Sequence, residues 1–211
     1  RRSRTRSHTE PQEPSLSFKT LARRPRLCIF SYGPLNRLVH TVLPEFAGRA
    51  DIHVQSVVFE EALRVGHEIE RNKDHDVIIS AGANASLLRS ALTIPVVSIK
   101  VTGYDLLMAL KKARQISDRI GVGIYREKIA ELEAAKELLQ VEVSQQPYET
   151  IDDIKESFQR LHAEGYKVIV GSSFVVGLAE ENGLHGILVY SLESIRQAIE
   201  DAVQIAELAV I

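Results

Sequence analysis

Tryptophan is absent from this chain, cysteine and methionine each occur once, and aromatic residues make up only 6% of its 211 positions. A single cysteine, Cys28, forbids any intramolecular disulfide, so a reducing compartment, the cytoplasm, is the expectation. No apolar run approaches the roughly 18 residues of a membrane span, and the N-terminus lacks the apolar stretch of a secretory signal, which argues against a membrane role. A net charge of -2 with so few aromatic rings leaves neither a basic field nor a stacking platform for nucleic acid. Any contact with DNA is expected of another segment. Missing motifs exclude further classes. There is no GxxxxGK[ST] loop for a triphosphate, no GxGxxG after the first strand for a dinucleotide, no GxSxG nucleophile elbow and no HExxH metal pair, and the seven histidines show no tight ligand spacing. No cofactor and no metal are implied.

What is present is enough apolar material for a core, with 45% hydrophobic and 26% charged residues. Residues 1–25, rich in Arg, Ser and Pro, read as a flexible basic lead-in. From Arg26 the pattern alternates short apolar runs with helix-type spacing. Strands are expected at 27–31, 52–57, 77–80 and 95–99, then at 119–124, 141–145, 167–171 and 186–191. Eight such units specify an α/β fold with parallel sheets covered by helices on both faces.

The two series of four look duplicated. DVIISAGANASLLRSALTIPVVSIK from Asp76 lies over KVIVGSSFVVGLAEENGLHGILVYS from Lys167 without a gap, strand on strand and helix on helix. We therefore expect two similar Rossmann-like (flavodoxin-like) subdomains, 26–116 and 117–190, with a ligand cleft between them and a C-terminal helix, 191–211, packing back on the first. In parallel sheets ligands bind beyond the carboxyl ends of the strands, where turns offer backbone N–H groups and helix N-termini. The turns SAGAN and GSSF lie at such ends, and their small residues permit close backbone approach.

This pattern suits a compact carboxylate or polyol held by Ser80, Asn84, Ser172 and Ser173, with Lys100 at the end of the fourth strand as charged partner. Ordinary N-capping is the plainer explanation of each serine and of the asparagine, and a lysine ending a buried strand could equally pair with a neighbouring acid. Thr102 and Asp105 have the spacing of a capping box, and Tyr104 stands in the first turn of the helix they open. Ser31 and Tyr32, and Tyr125 and Arg126, end the first strand of each half, and Arg126 could fork a carboxylate.

An enzyme acting on a small hydroxy or keto acid is the competing reading. Pseudo-symmetric racemases place one thiol in each half of such a cleft, whereas here the one cysteine sits inside a strand and reads as a small buried hydrophobe. Polar holders without an evident acid–base pair look like binding.

The run IISAGANASLLRSALTIPVVSIKVTGYDLLMALKKA, followed by RIGVGIYRE, VIVGSSFVVGLAEENGLHGILVYS and ESIRQAIEDAV, closely resembles the N-terminal sensory domain of PrpR-type activators of propionate catabolism, across roughly residues 26–211. The AG-N turn, the K-x-x-GYD-x-x-x-AL segment and the GLAEE-G-x-x-GI-x-x-YS segment occur in order. The resemblance implies a metabolite sensor, for 2-methylcitrate, joined to an AAA+ ATPase and a helix-turn-helix that drive RpoN-dependent transcription. DNA and RNA polymerase would be partners only through those modules, whose motifs are not in these 211 residues. Carried onto the matching loops, it puts the ligand at Ser80, Gly82, Asn84, Lys100, Tyr104, Gly171, Ser172 and Ser173.

In ESIRQAIEDAVQIAELAVI, residues Ile195, Ala198, Ile199, Ala202, Val203, Ala206 and Val210 form one helical stripe that needs a partner. Closure on ligand, reported through this helix as release of an inhibitory contact, is the expected mechanism. A third reading makes the stripe a dimerisation scaffold without ligand, so a homo-oligomer is also left open.

Overall fold

The computed structural model describes residues 23–209, so most of the 1–25 lead-in and Val210 of the stripe lie outside the described residues. The first half runs β1 (Arg26–Phe30), α1 (Leu35–Val42), a short 3-10 turn (Leu43–Phe46), β2 (Asp51–Gln55), α2 (Phe59–Asn72), β3 (Val77–Ser80), α3 (Gly82–Ala91), β4 (Val96–Ser98) and α4 (Gly103–Arg114). The second runs β5 (Arg119–Tyr125), α5 (Glu131–Leu139), β6 (Glu142–Tyr148), α6 (Ile151–Ala163), β7 (Val168–Gly171), α7 (Ser173–Glu181), β8 (His185–Leu188) and α8 (Leu192–Leu208).

All strand pairs are parallel, and the two four-stranded sheets share one order, β2-β1-β3-β4 and β6-β5-β7-β8. Equivalent pairs keep equivalent register, Leu27 opposite Val77 in one sheet and Ile120 opposite Val168 in the other. The expected α/β fold with two similar halves is what the chain adopts.

Side chains alternate across each sheet, as a pleated strand requires. Cys28, Phe30 and Ile78 point to one face of the first sheet and meet Val65 and Ile69 of α2 and Leu88 of α3. Leu27, Ile29, Val77 and Ile79 point to the other. In the second sheet Ile169 packs with Phe158 and Leu161 of α6 and Leu178 of α7.

The remaining faces are covered by exchange. α4 follows the last strand of the first sheet yet packs on α5, β5, β7 and β8, whereas α8 follows the last strand of the second and packs on α1, β1, β3 and β4. The apolar stripe of α8 is buried from Ile195 to Ala206, and full burial of an Ile or Val contributes on the order of 1.5–3 kcal/mol. One continuous cluster consequently joins both sheets through α1, α4, α5 and α8. Each half carries a helix of the other, so α8 cannot leave the first sheet without opening that shared core. No helix among the described residues is long and apolar enough to cross a membrane.

Candidate functional site

The halves face each other with the carboxyl ends of β1, β3 and β4 on one side and of β5, β6 and β7 on the other. Here the chain ends its strands in small or polar residues. Ser31 and Ser80 are fully buried, and among the described residues the Oγ of each has no hydrogen-bond partner. A buried hydroxyl left unpaired is unfavourable, so such groups call for water or a ligand.

Two spaces with shared lining residues occupy the interface. The larger, a cleft of about 450 Å³, is lined by Gly82, Ser86, Ser98 and Lys100 from the first half and by Val122, Ile124, Tyr125, Tyr148, Gly171 and Ser172 from the second, among others. The smaller is a slot of about 30 Å³ that shares Tyr148, Ser172 and Tyr190 with the cleft and adds Phe30, Phe59, Phe174, Ser80, Asn84 and Ser173. The halves also touch directly. The Leu35 N–H donates to Ser173 Oγ at 3.0 Å, and the Phe59 and Phe174 rings meet edge to face at 4.7 Å.

The sequence-derived residues divide into those at the cavity and those elsewhere. Ser80, Gly82, Asn84, Lys100, Gly171, Ser172 and Ser173 line one or both spaces. Lys100 is exposed and, among the described residues, makes no ion pair within 4.0 Å. Ser172 sits at the N-cap of α7 without a capping bond from its side chain. Asn84 is committed locally: its Oδ1 accepts from the Phe59 N–H at 2.8 Å and its Nδ2 donates to the Val57 carbonyl at 3.4 Å, which fixes the entry to α2. Gly171 has a packing reason to be glycine, since a Cβ there would lie 2.4 Å from Val175 Cγ1.

Ser31 lines neither space, and its N–H donates to the Gln55 carbonyl at 2.9 Å. Tyr104 is 63% exposed and does not line either space. Arg126 does not either: its guanidinium stacks on the Tyr125 ring at 4.8 Å, and its backbone has φ +67°. The Thr102–Asp105 capping box forms as expected, leaving the buried Asp105 Oδ1 without a partner among the described residues.

Tyr148 and Tyr190 belong to the site and were not singled out by the sequence. Burial pushes the Tyr148 phenol up to about 12, against the Ser172 hydroxyl, which pulls the other way. Burial raises Tyr190 further, reinforced by the nearby Tyr148, while the Gly82 amide pulls the other way. Both phenols are neutral donors at neutral pH. Tyr190 falls at the end of the strand expected over 186–191, so applying the strand-end rule to all eight strands would have found it, whereas Tyr148 ends a strand that runs three residues past the expected 141–145. Cys28 lies in the α2/α3 face of the first sheet, and burial, with some help from the Asp74 charge, raises its thiol to about 12.

A sequence model described as propionate catabolism activator matches residues 46–210. Among solved structures, an NtrC family transcriptional regulator from Clostridium acetobutylicum is 23% identical, with 88% of this chain and 98% of that one covered and a TM-score of 0.78, which shows a common fold. A LacI family transcriptional regulator from Arthrobacter sp. FB24 in complex with lactose is 13% identical over 89% of this chain and 91% of that one, at a TM-score of 0.47. A putative Asp/Glu racemase from Yersinia pestis is 15% identical over 90% of this chain and all (100%) of that one, at 0.34. The last two likenesses are too distant to carry an argument.

Proposed function

The chain belongs to the propionate catabolism activator family, as a sensory regulatory domain, and from that premise we propose that it binds a small carboxylate metabolite between its two halves and passes the occupancy of that cleft to an attached AAA+ ATPase. The observation that carries the reading is the cleft itself. About 450 Å³ of space lies at the carboxyl ends of both sheets, with Lys100 as its one charged lining residue and an unpaired Ser80 in the adjoining slot, among the described residues. Ser80, Gly82, Ser172 and Lys100 are the contacts we favour, and α3 and α7, which start at the cleft, turn the positive ends of their dipoles toward an anion. 2-Methylcitrate is the candidate that the family resemblance supplies.

Transmission would run through α8. Because α8 leaves the second half and packs on the first, any change in the angle between the halves is felt along it, and ligand shifts that angle by its differential affinity for the closed arrangement. DNA and RNA polymerase would be engaged by other modules of the full-length protein.

Calorimetric titration of the 211-residue chain with 2-methylcitrate, citrate and propionate tests the binding half of this proposal. Saturable binding of one of them, weakened by Lys100→Ala, is expected; a folded protein that binds none contradicts it. For the control half, an activator lacking this domain should transcribe without ligand, and a silent one would contradict the inhibitory contact.

A further inference from the structure

We propose that the open edge of β8 is a docking site for an extended, acidic strand of a partner polypeptide. It is a surface apart from the cleft and independent of what the cleft binds.

β8 is the outer strand of the second sheet, bonded to β7 on one side and to none of the described strands on the other. The His185 N–H donates to the Lys167 carbonyl at 2.8 Å, and the Val189 N–H to the Gly171 carbonyl at 2.9 Å. Alternate residues of a strand face the same neighbour, so Gly186 and Leu188 turn their N–H and C=O groups away from β7. Both residues line a groove of about 720 Å³ beside the strand. Among the described residues, no backbone bond outside the regular elements reaches either of them. Two other outer strands are blunted. The Val96 carbonyl at the start of β4 accepts from Arg89 Nε at 3.0 Å, and β6 carries Pro147, which has no N–H to give. An edge left open is a template for a further strand, and the four residues of β8 offer about 13 Å of ladder.

Charge selects the occupant. Arg37 from α1 and Lys112 from α4 line the groove and are exposed, and among the described residues neither makes an ion pair within 4.0 Å. Glu180 of α7 is the one acid of the lining, so cations outnumber acids. Exposed charges contribute little affinity, but they choose between partners. Affinity would come from ladder bonds at Gly186 and Leu188 and from apolar contact with the half-buried Ile187 and Leu188. A second copy of this chain is the poorer occupant, because two β8 edges paired about a two-fold axis bring the same cationic rim to both sides. An acidic strand instead meets Arg37 and Lys112 with opposite charge. Arg37 belongs to the first half and Gly186 and Leu188 to the second, so a strand seated here spans both.

The test is fluorescence anisotropy on the intact 211-residue chain. The probe is a fluorescein-labelled peptide of about eight residues, alternating valine and glutamate so that it favours an extended strand. Two controls replace its glutamates by lysines or N-methylate every backbone amide. The glutamate peptide should bind at least about tenfold more tightly than either control. Arg37→Glu combined with Lys112→Glu, with circular dichroism checking the fold, should weaken it by at least about tenfold and favour the lysine peptide. In the isotopically labelled chain the peptide should shift the amides of Gly186 and Leu188 most. Equal binding of the N-methylated peptide, or undiminished binding of the glutamate peptide by the double variant, would overturn the inference. So would no binding at about 1 mM peptide, or a protein that self-associates through β8 and takes up no peptide.

Discussion

The backbone N–H of Leu35 donates to Ser173 Oγ across the interface of the two halves, 138 positions apart in sequence, in a buried bond of 3.0 Å. Leu35 is the first residue of α1, where Pro34 precedes it without a side chain able to cap. The orphan donor that every helix start presents is thus satisfied by the other half of the molecule. Ser173→Ala should lower the stability by roughly 1–3 kcal/mol in urea denaturation, the usual penalty for a buried donor left unpaired. Ser173→Thr, which keeps the acceptor, should lose less; equal losses would show that the hydroxyl is not what matters.

Gly171 closes β7 against α7 so tightly that a Cβ would lie 2.4 Å from Val175 Cγ1 and 2.8 Å from its Cβ. Gly171→Ala should destabilise by roughly 1–3 kcal/mol through overpacking. Combined with Val175→Ala, it should cost less than the sum of the two single changes. Strict additivity would mean that the glycine serves the ligand rather than the packing.

The alternation of apolar runs with helical spacing was enough to reveal eight strands and the duplicated order, because buried parallel strands such as VIIS and VIVG are continuous apolar stretches. Where a strand departs from that rule it was misread. β6 continues through Gln145, Gln146 and Pro147 to Tyr148, and its polar, proline-bearing end looks like a turn. It is an edge strand, where a proline and polar side chains are tolerated. Tyr148 was missed for that reason, and with it a wall of the cleft. The serines and Lys100 were legible because they end strands; Tyr104 was placed by its helix start, which says nothing about the direction a side chain takes. The exchange of α4 and α8 between the sheets was only half legible: residues 191–211 read as packing on the first half, but nothing assigned α4 to the second, because the capping box that opens α4 shows where the helix starts and not which sheet it covers.

Asp76, just before β3, accepts from Arg23 Nη2 at 2.7 Å and Nη1 at 2.8 Å, and from the Arg26 N–H at 2.8 Å. The Arg23 bonds, then that of Arg26, hold its carboxyl below the ordinary range despite partial burial. A depressed folded-state pKa contributes stability above the unfolded-state value and loses it as pH falls through the folded one. Between about pH 5 and about pH 2 the wild-type urea midpoint should therefore fall more steeply than that of Asp76→Asn. Parallel acid limbs would remove Asp76 from the explanation.

Cys28 is fully buried, with its thiol raised to about 12 chiefly by burial. A thiol-modifying reagent at about pH 8 should leave it untouched in folded protein and label it only in urea, since the thiolate is the reactive form. Rapid labelling of the native protein would show that the first sheet opens far more readily than its packing indicates, and would revive Cys28 as a nucleophile.

The claim on which everything else depends is that the ligand lies between the halves, and amide chemical-shift mapping tests it most directly. With the tightest-binding carboxylate added to the isotopically labelled chain, the largest shifts are expected at Ser80, Gly82, Ser98, Lys100 and Ser172, with smaller ones along α8. Shifts centred instead on Gly33, Lys112 and Glu180, which line a separate groove beside β8, with the cleft amides unmoved, would contradict it.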